Sequence, residues 1–171
     1  GVPIVVDFSE PYADGGRALW TSVVNTPDNG GVYKIDVATG DVIDASFSPS
    51  DNAGSITGAY NLLDRDGHLI VGREQALDVL GDEFPGEHFS KIARLARFTL
   101  PERALCRPDD KLVGIGMTFD GFVAFATEQG VVGVVPRDPA RMNDGELRTL
   151  SLNGDRCASG GRLEEVSNSI A

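Results

Sequence analysis

The sequence predicts an all-β fold. Glycine and proline are abundant, at 21 and 9 of the 171 residues, which is typical of many short strands joined by turns. Stretches with the apolar spacing of a long amphipathic helix are scarce. A unit of apolar strand, Asp-Gly turn and second apolar strand occurs twice, around Asp66-Gly67 and Asp120-Gly121. Because Asp-Gly supplies the positive φ that a tight turn needs, both copies predict β-hairpins.

Composition and charge exclude several classes of protein. With 41% apolar and 24% charged residues, the chain has the composition of a globular domain and not of a disordered tail. Acidic residues outnumber basic ones 26 to 15, and the formal charge of −11 repels phosphate backbones and anionic lipid head groups. No run of apolar residues is long enough for a transmembrane helix. We therefore expect neither nucleic-acid binding nor membrane insertion.

The first predicted unit occupies residues 1–50. Its first strand lies near residues 4–8, and residues 31–36 and 42–47 form a hairpin through the turn Val-Ala-Thr-Gly-Asp at 37–41. These segments define the spacing against which the later units are compared.

The second unit occupies residues 51–105 and opens with the hairpin at 58–72. Residues 76–80 are its predicted third strand, and residues 91–100 its fourth. In this last segment a basic residue recurs every third position, with an apolar residue beside each, which also fits a short helix. We expect a strand, because the neighbouring units place one at the equivalent point.

The third unit occupies residues 106–160. It opens with the hairpin at 112–126, and residues 131–135 and 146–152 are predicted to pair across a longer loop that contains proline and aspartate. Residues 161–171 contain the predicted first strand of a fourth unit, beginning at 166. The chain therefore consists of three four-stranded units and one further strand.

Four-stranded antiparallel units that repeat every 40 to 55 residues or so are the signature of a β-propeller, and first strands recur here at roughly 55 residues. We therefore predict a partial β-propeller of about three blades in a single domain; an ordinary β-sandwich is the alternative. Three blades cannot close a ring. The exposed blade faces require the remaining blades, supplied by the same chain, by another chain or by a symmetric copy. The chain starts without Met and ends inside a predicted strand, so we expect truncation at both ends.

Two segments resemble a known superfamily. Residues 60–71, Tyr-Asn-Leu-Leu-Asp-Arg-Asp-Gly-His-Leu-Ile-Val, and residues 166–171, Val-Ser-Asn-Ser-Ile-Ala, resemble the blade-opening segments of six-bladed propellers. That superfamily contains senescence-marker proteins, gluconolactonases and strictosidine-synthase-like enzymes. The resemblance implies a six-bladed ring and, in its enzymes, a channel metal, usually calcium, that polarises a lactone or ester. Asn168 matches the channel Asn, although serines flank it where the superfamily has Pro and Gly, and Asn61 is its analogue.

A second segment resembles a different group of propellers. Residues 33–42, Tyr-Lys-Ile-Asp-Val-Ala-Thr-Gly-Asp-Val, are similar to the Asp-x-x-Thr-Gly repeats of quinoprotein-like propellers. This resemblance implies an assembly subunit. The docking Trp that usually follows such a repeat is absent from the sequence that follows.

One face of the predicted ring collects the loops between second and third strands and those between successive blades. Polar residues expected on this channel face are Asp28, Asn29, Asp51, Asn52, Arg73, Glu74, Asp109, Asp110, Glu128, Glu164, Glu165 and Asn168. Converging oxygen ligands favour Ca²⁺. We predict Glu74, Glu128 and Asn168 as metal ligands, because each lies at the edge of an apolar strand from which its side chain could point inward.

No other motif in the sequence identifies a reaction. Asp64-x-Asp66-Gly67 lacks the first and last carboxylates of a calcium loop, so it is interpreted as a turn. Glu83, Glu87 and His88 lie in a loop with Pro and Gly and without helical His spacing, which predicts a surface loop. No serine-nucleophile elbow, Cys-His pairing motif or phosphate-binding glycine loop occurs. No catalytic residue is assigned.

The two cysteines, Cys106 and Cys157, each lie just before a predicted first strand. Equivalent loops of adjacent blades are neighbours, so a disulfide between them is plausible if their Cα atoms lie within about 7 Å. In the chain-entropy model such a bridge stabilises by roughly 4 kcal/mol. It would indicate an extracytoplasmic location, periplasmic or secreted, whereas two free thiols would leave the compartment open.

From these observations we expect a propeller segment whose channel-facing surface binds a small molecule or a protein partner, without autonomous catalysis. One alternative is part of a calcium-dependent, lactonase- or esterase-like hydrolase. Another is a quinoprotein-like assembly subunit. A calcium ion is the one cofactor that the sequence suggests.

Overall fold

The structure is a computed structural model that describes residues 2–24, 31–47, 56–63, 67–117, 121–143 and 148–150. Within these ranges it contains twelve β-strands, a 3₁₀ turn at Glu102–Ala104 and one short α-helix. The predicted all-β class is confirmed. The strands form three antiparallel sheets of four strands each, and in every sheet the strands are neighbours in chain order.

Sheet A consists of β1 (Val2–Phe8), β2 (Ala18–Val24), β3 (Gly31–Asp36) and β4 (Val42–Phe47). Strands β1, β3 and β4 agree with the sequence prediction, whereas β2, which lies in the middle of the sheet, was not predicted. Along β3 the burial alternates after its first two residues, as expected where one sheet face is packed and the other is more open.

Sheet B consists of β5 (Ile56–Leu63), β6 (Leu69–Arg73), β7 (Ala76–Asp82) and β8 (Ile92–Thr99). Strand β8 pairs with β7 along its whole length. The strand prediction for this segment is therefore confirmed, and the helical alternative is wrong. All of β6 and nearly all of β7 is buried, because both faces of sheet B are covered.

Sheet C consists of β9 (Leu112–Met117), β10 (Phe122–Thr127), β11 (Val132–Pro136) and β12 (Arg148–Leu150). The helix α1 (Pro139–Asn143) follows β11 and contacts β8 of sheet B. In the part of the chain that the structure describes, no helix is long and apolar enough to cross a membrane. The strand predicted to begin at residue 166 lies outside the described residues.

The glycines of the two predicted Asp-Gly turns have the expected backbone conformation. Gly67 has a φ of 76° and Gly121 a φ of 87°. Both lie in the left-handed region, which side chains with a Cβ rarely adopt. Each glycine precedes the second strand of its sheet, β6 or β10, and so fixes where that hairpin reverses.

Two apolar layers hold the sheets together. Between sheets A and B, Trp20 and Val32 pack in one cluster with Leu69, Val71 and Leu80. A larger cluster lies between sheets B and C; it includes Ile70, Leu77, Val79, Phe98, Leu112, Val123, Phe125 and Met142 of α1. The burial of these side chains is the main favourable contribution to the stability of the arrangement.

The first strands of the three sheets are neighbours. Strand β5 contacts β1 of sheet A and β9 of sheet C, and the fourth strands β4 and β8 also touch. Successive sheets therefore stack face to face, with β1, β5 and β9 along one side.

Candidate functional site

Four of the predicted site residues, Glu74, Asp109, Asp110 and Glu128, lie at one edge of sheets B and C, in three connections that converge there. These connections are the β6–β7 turn at 74–75, the β8–β9 connection at 100–111 and the β10–β11 turn at 128–131, together called the loop edge here. The backbone N–H of Leu112 donates to the carbonyl of Glu74 at 2.8 Å, and that of Glu128 donates to the carbonyl of Lys111 at 2.7 Å. Glu74 and Glu128 thus both lie beside the start of β9.

Asp110 organises this edge from inside. Its carboxylate is buried and accepts three backbone N–H bonds, from Cys106 at 3.1 Å and from Lys111 and Gln129 at 3.0 Å each. Such bonds compensate the burial of a carboxylate. Asp110 therefore joins the β8–β9 connection to the β10–β11 turn. Its carboxylate oxygens are already engaged by these backbone hydrogen bonds.

Gln75 binds the same connection from sheet B. Its side-chain amide donates to the carbonyl oxygens of Pro108 at 2.7 Å and Asp110 at 3.0 Å. The next residue before Asp110, Asp109, is exposed. The backbone of the loop edge is thus fixed by the side chains of Asp110 and Gln75, and charged side chains lie on its outside.

Among the described residues, the exposed or half-exposed charged side chains of the loop edge are four acidic and two basic ones: Glu74, Glu102, Asp109, Glu128, Arg107 and Lys111. Lys111 Nζ lies 3.4 Å from Glu74 Oε1, with about half and a third of the two side chains exposed, and Glu128 is exposed. Exposed pairs of this kind contribute about 1 kcal/mol at most, so a ligand could displace the lysine. Within the described ranges, no three His, Cys, Asp or Glu side chains are close enough together to hold a metal ion.

Several predicted site residues fall outside the described ranges: Asp28, Asn29, Asp51, Asn52, Glu164, Glu165 and Asn168. The metal site at Glu74, Glu128 and Asn168 therefore stays a prediction. Cys157 is also outside, so the bridge to Cys106 stays a prediction as well. Cys106 Sγ itself lies 3.4 Å from the carbonyl oxygen of Gln129. An intact-mass measurement without reductant tests the bridge, which removes two hydrogens from the chain.

Arg73, which the sequence placed on the channel face, is instead buried in an ionic group within sheet B. Its Nε lies 2.5 Å from Asp78 Oδ2, and Arg97 binds the same carboxylate through Nε at 2.6 Å and Nη2 at 2.8 Å. Asp78 is completely buried. The carboxylate holds β6, β7 and β8 together at this point, and the channel-face placement of Arg73 is wrong.

A second polar cluster, which the sequence analysis missed, joins sheets A and B. Its centre is Lys34 on β3, whose side chain has no solvent exposure. Lys34 Nζ lies 2.5 Å from Asp82 Oδ1 and donates to the carbonyl of Ser90 at 3.1 Å. The ammonium also lies 5.0 Å from the ring centroid of Tyr12 and 5.6 Å from that of Trp20, distances at which cations and aromatic faces attract.

The charge of this cluster also acts on Tyr12. Burial of the phenol, followed by the negative charge of Asp82, raises the pKa of Tyr12 to about 12. The hydroxyl therefore stays protonated under ordinary conditions. It provides a neutral wall on one side of the ion pair between Lys34 and Asp82.

His88, in the loop between β7 and β8, extends the cluster towards sheet A. Its Nδ1 lies 3.1 Å from Asp14 Oδ2, and its Nε2 lies 3.0 Å from Asp36 Oδ1 and 3.1 Å from the carbonyl oxygen of Arg17. The ring stacks between Tyr12 and Phe89. The three atoms that these ring nitrogens face are all hydrogen-bond acceptors, so a ring nitrogen that carries a hydrogen donates to them.

The prediction of a surface loop at Glu83, Glu87 and His88 is therefore correct for the two glutamates and wrong for His88, which is buried. The reason lies in the β1–β2 connection. A Cβ on Gly16 would come within 2.2 Å of His88 Cε1. Because glycine has no Cβ, the imidazole can enter between the sheets.

The Asp-x-x-Thr-Gly motif forms the turn beside this cluster. Asp36 Oδ2 accepts a hydrogen bond from the Thr39 hydroxyl at 2.8 Å and from its backbone N–H at 3.0 Å. These bonds, with a smaller contribution from His88, lower the pKa of Asp36. The backbone N–H of Gly16, followed by His88, lowers the pKa of Asp14 in the same way. The motif thus acts here through turn chemistry.

The sequence contained a signal for this second cluster. Alternation along β3 places Lys34 on the same face as Val32 and Asp36, and Val32 is part of the core. A lysine on a core-facing position of a strand requires a partner. That partner, Asp82, lies 48 positions away in the chain, beyond the reach of any local pattern.

Comparison with known proteins gives one relative and no family. No protein-family model matches the chain. An uncharacterized protein of Archaeoglobus fulgidus is 35% identical over 170 residues, which are 99% of this chain and 30% of that protein. The chain therefore spans less than a third of the length of the relative. The resemblance to six-bladed propellers stays a prediction.

Proposed function

We propose that the chain is an arc of a β-propeller and that it acts as a binding module, with the loop edge as its ligand-contacting surface. The observation that carries this proposal is the position of the first strands. Strand β5 lies between β1 and β9, and each sheet then continues away from this side in chain order. Propeller blades are arranged in this way, with their first strands around a common axis.

Sheet B gives further support for this arrangement. A two-layer sandwich buries one face of each sheet, whereas sheet B packs on sheet A with one face and on sheet C with the other. A middle blade of a propeller has this environment. The Archaeoglobus relative has more than two thirds of its length outside the matched segment, enough for several further sheets.

The exposed charges indicate the class of ligand. At the loop edge the described acidic side chains, of Glu74, Glu102, Asp109 and Glu128, outnumber the basic ones, of Arg107 and Lys111, so the surface there favours a cation or a molecule that donates hydrogen bonds. The side-chain oxygen of Gln129 is buried with no hydrogen-bond partner among the described residues. It is an acceptor that a donor on such a ligand would satisfy.

A calcium-dependent hydrolase is the second candidate, favoured by the placement of Glu74 and Glu128 at the same edge. In this case Ca²⁺ would replace Lys111 beside Glu74 and polarise an ester or lactone carbonyl. The quinoprotein-like alternative has no comparable support, because the turn chemistry of Asp36 and Thr39 accounts for its motif.

An NMR titration tests the binding role. Ca²⁺ and δ-gluconolactone are added separately to the ¹⁵N-labelled chain, and amide shifts are followed. We expect saturable shifts at 74–75, 109–112 and 128–130 for at least one probe, and a loss of several-fold in affinity in Glu128→Gln. Glu83→Gln, which changes an exposed glutamate in the β7–β8 loop, is the matched control. Unchanged loop-edge amides with both probes would refute binding of these ligand classes.

A further inference from the structure

Sheet A carries an apolar row on the face turned away from sheet B. The register pairs Phe8 with Leu19 across β1 and β2, and Leu19 with Ile35 across β2 and β3. Ile35 in turn lies opposite Val42 on β4. The row therefore crosses all four strands. Phe8 and Val42 are each 54% exposed.

The alternation of the strands fixes which face this row occupies. Ala18 and Trp20 on β2 pack against sheet B, so Leu19 between them lies on the opposite face. A second row on that face, Thr21, Tyr33 and Ala45, is also uncharged. These seven uncharged side chains lie together on one face, with Phe8 and Val42 exposed, Leu19, Tyr33, Ile35 and Ala45 half-buried and Thr21 buried. A contiguous uncharged face of this kind differs from the isolated apolar residues that a protein surface commonly shows.

Sheet B shows what covers such a face. On its side towards sheet A, the second, third and fourth strands supply Leu69, Leu80 and Ile92, and sheet A covers them. The second, third and fourth strands of sheet A supply Leu19, Ile35 and Val42 on the equivalent side. The two faces carry the same class of side chain at matching strands. The expected occupant of the outer face of sheet A is therefore also a four-stranded sheet.

We propose that the outer face of sheet A is the docking surface for a further four-stranded sheet of the same polypeptide. This inference rests on the proposed propeller arc. The source of the sheet is argued from the Archaeoglobus relative, in which the matched segment is only 30% of the length. By analogy with the surface that sheet A offers to sheet B, the docking sheet presents an aromatic residue from its second strand and an aliphatic residue from its third, as Trp20 and Val32 do.

Hydroxyl-radical footprinting tests the proposal by comparing the 171-residue chain with the longer polypeptide that the proposal implies. Phe8, at the end of β1 and 54% exposed, is the reporter, and Phe84 and Phe89 in the β7–β8 loop, at 56% and 68%, are internal controls of the same residue type. We expect the labelling of Phe8 to fall several-fold in the longer polypeptide, while Phe84 and Phe89 keep their rates. Equal labelling of Phe8 in both chains would overturn the proposal.

A pair of valine variants separates a sheet of the same polypeptide from a second copy. Val42→Arg changes the row, whereas Val37→Arg changes a valine of similar exposure in the β3–β4 turn. In the longer polypeptide we expect a lower melting temperature for Val42→Arg only. If light scattering instead finds a dimer of the 171-residue chain that Val42→Arg dissociates, the occupant is a second copy and the proposal is wrong. The NMR titration reads sheets B and C, so failure of either proposal leaves the other measurable.

Discussion

The ion pair between Lys34 and Asp82 gives the sharpest test of how sheets A and B are joined. The lysine side chain is fully buried and that of Asp82 is 10% exposed, with 2.5 Å between Nζ and Oδ1. Asp82→Asn keeps the shape of the side chain and removes its charge. The ammonium of Lys34 would then remain buried with only carbonyl oxygens and aromatic rings around it.

Breaking a buried pair from one side costs about 3–5 kcal/mol, because one charge is left without its counterion. The carbonyl of Ser90 and the ring of Tyr12 compensate part of that loss, so we expect about 3 kcal/mol for Asp82→Asn. For a chain of this size that corresponds to a melting temperature roughly 6–12 °C lower. The double variant Lys34→Met with Asp82→Asn removes both charges, and we expect it to recover most of the loss.

The measurement is the free energy of unfolding from urea denaturation for the wild type, both single variants and the double variant. Glu74→Gln is the control, because it breaks an exposed pair and should change the free energy of unfolding by less than about 1 kcal/mol. If the double variant loses as much stability as the sum of the two singles, Lys34 and Asp82 do not interact energetically. The account of this cluster would then be refuted.

Three further predictions concern the same cluster. The pKa of Asp36 is lowered in the folded chain. Its stabilising contribution is therefore present above a pH of about 4 and is lost as the pH falls through the folded pKa. Thermal unfolding measured from pH 7 to 2 should show a smaller loss of stability at acid pH in Asp36→Asn than in the wild type. The pKa of Tyr12 is raised to about 12, so stability should fall above a pH of about 10, where the unfolded phenol ionises, and Tyr12→Phe should remove part of that fall. Gly16→Ala should destabilise the fold by about 1–3 kcal/mol, because the added Cβ would collide with His88. Gly116→Ala is the control, because a Cβ there meets no atom within 4 Å. Urea denaturation should show the loss of stability for Gly16→Ala only.

The order of strands could be predicted from local signals. The Asp-Gly turns and the apolar runs beside them located the hairpins of sheets B and C, and the glycines of both turns have the required positive φ. Strand β2 was not identified by the same approach. An Asp-Gly turn does precede it, at Asp14-Gly15, where Gly15 has a φ of 82°, but no strand leads directly into this turn, because the connection from β1 to β2 spans residues 9–17. Local turn chemistry finds strands only where short turns join them.

The basic spacing in residues 91–100 shows a second limit. Three basic residues at intervals of three indicated a helix as well as a strand, and the structure contains β8. The spacing has a tertiary cause in part, because Arg97 reaches across to the buried carboxylate of Asp78 on β7. Contacts between strands override local periodicity when a side chain is committed to a buried partner.

The candidate site also contains residues that could be predicted from the sequence and residues that could not. Glu74 and Glu128 could be placed near each other from strand order alone, because both follow a second strand and equivalent turns of adjacent sheets lie on the same side. Arg73, one position before Glu74, could not, because its direction depends on Asp78. The cluster of Lys34 and His88 depends on contacts between sheets. The alternation of residues within a single strand does not identify which residue of another sheet binds them. The positions of exposed turn residues could therefore be predicted from the sequence, whereas the pairing of buried charges could not. That pairing determines whether a charged side chain is available to a ligand.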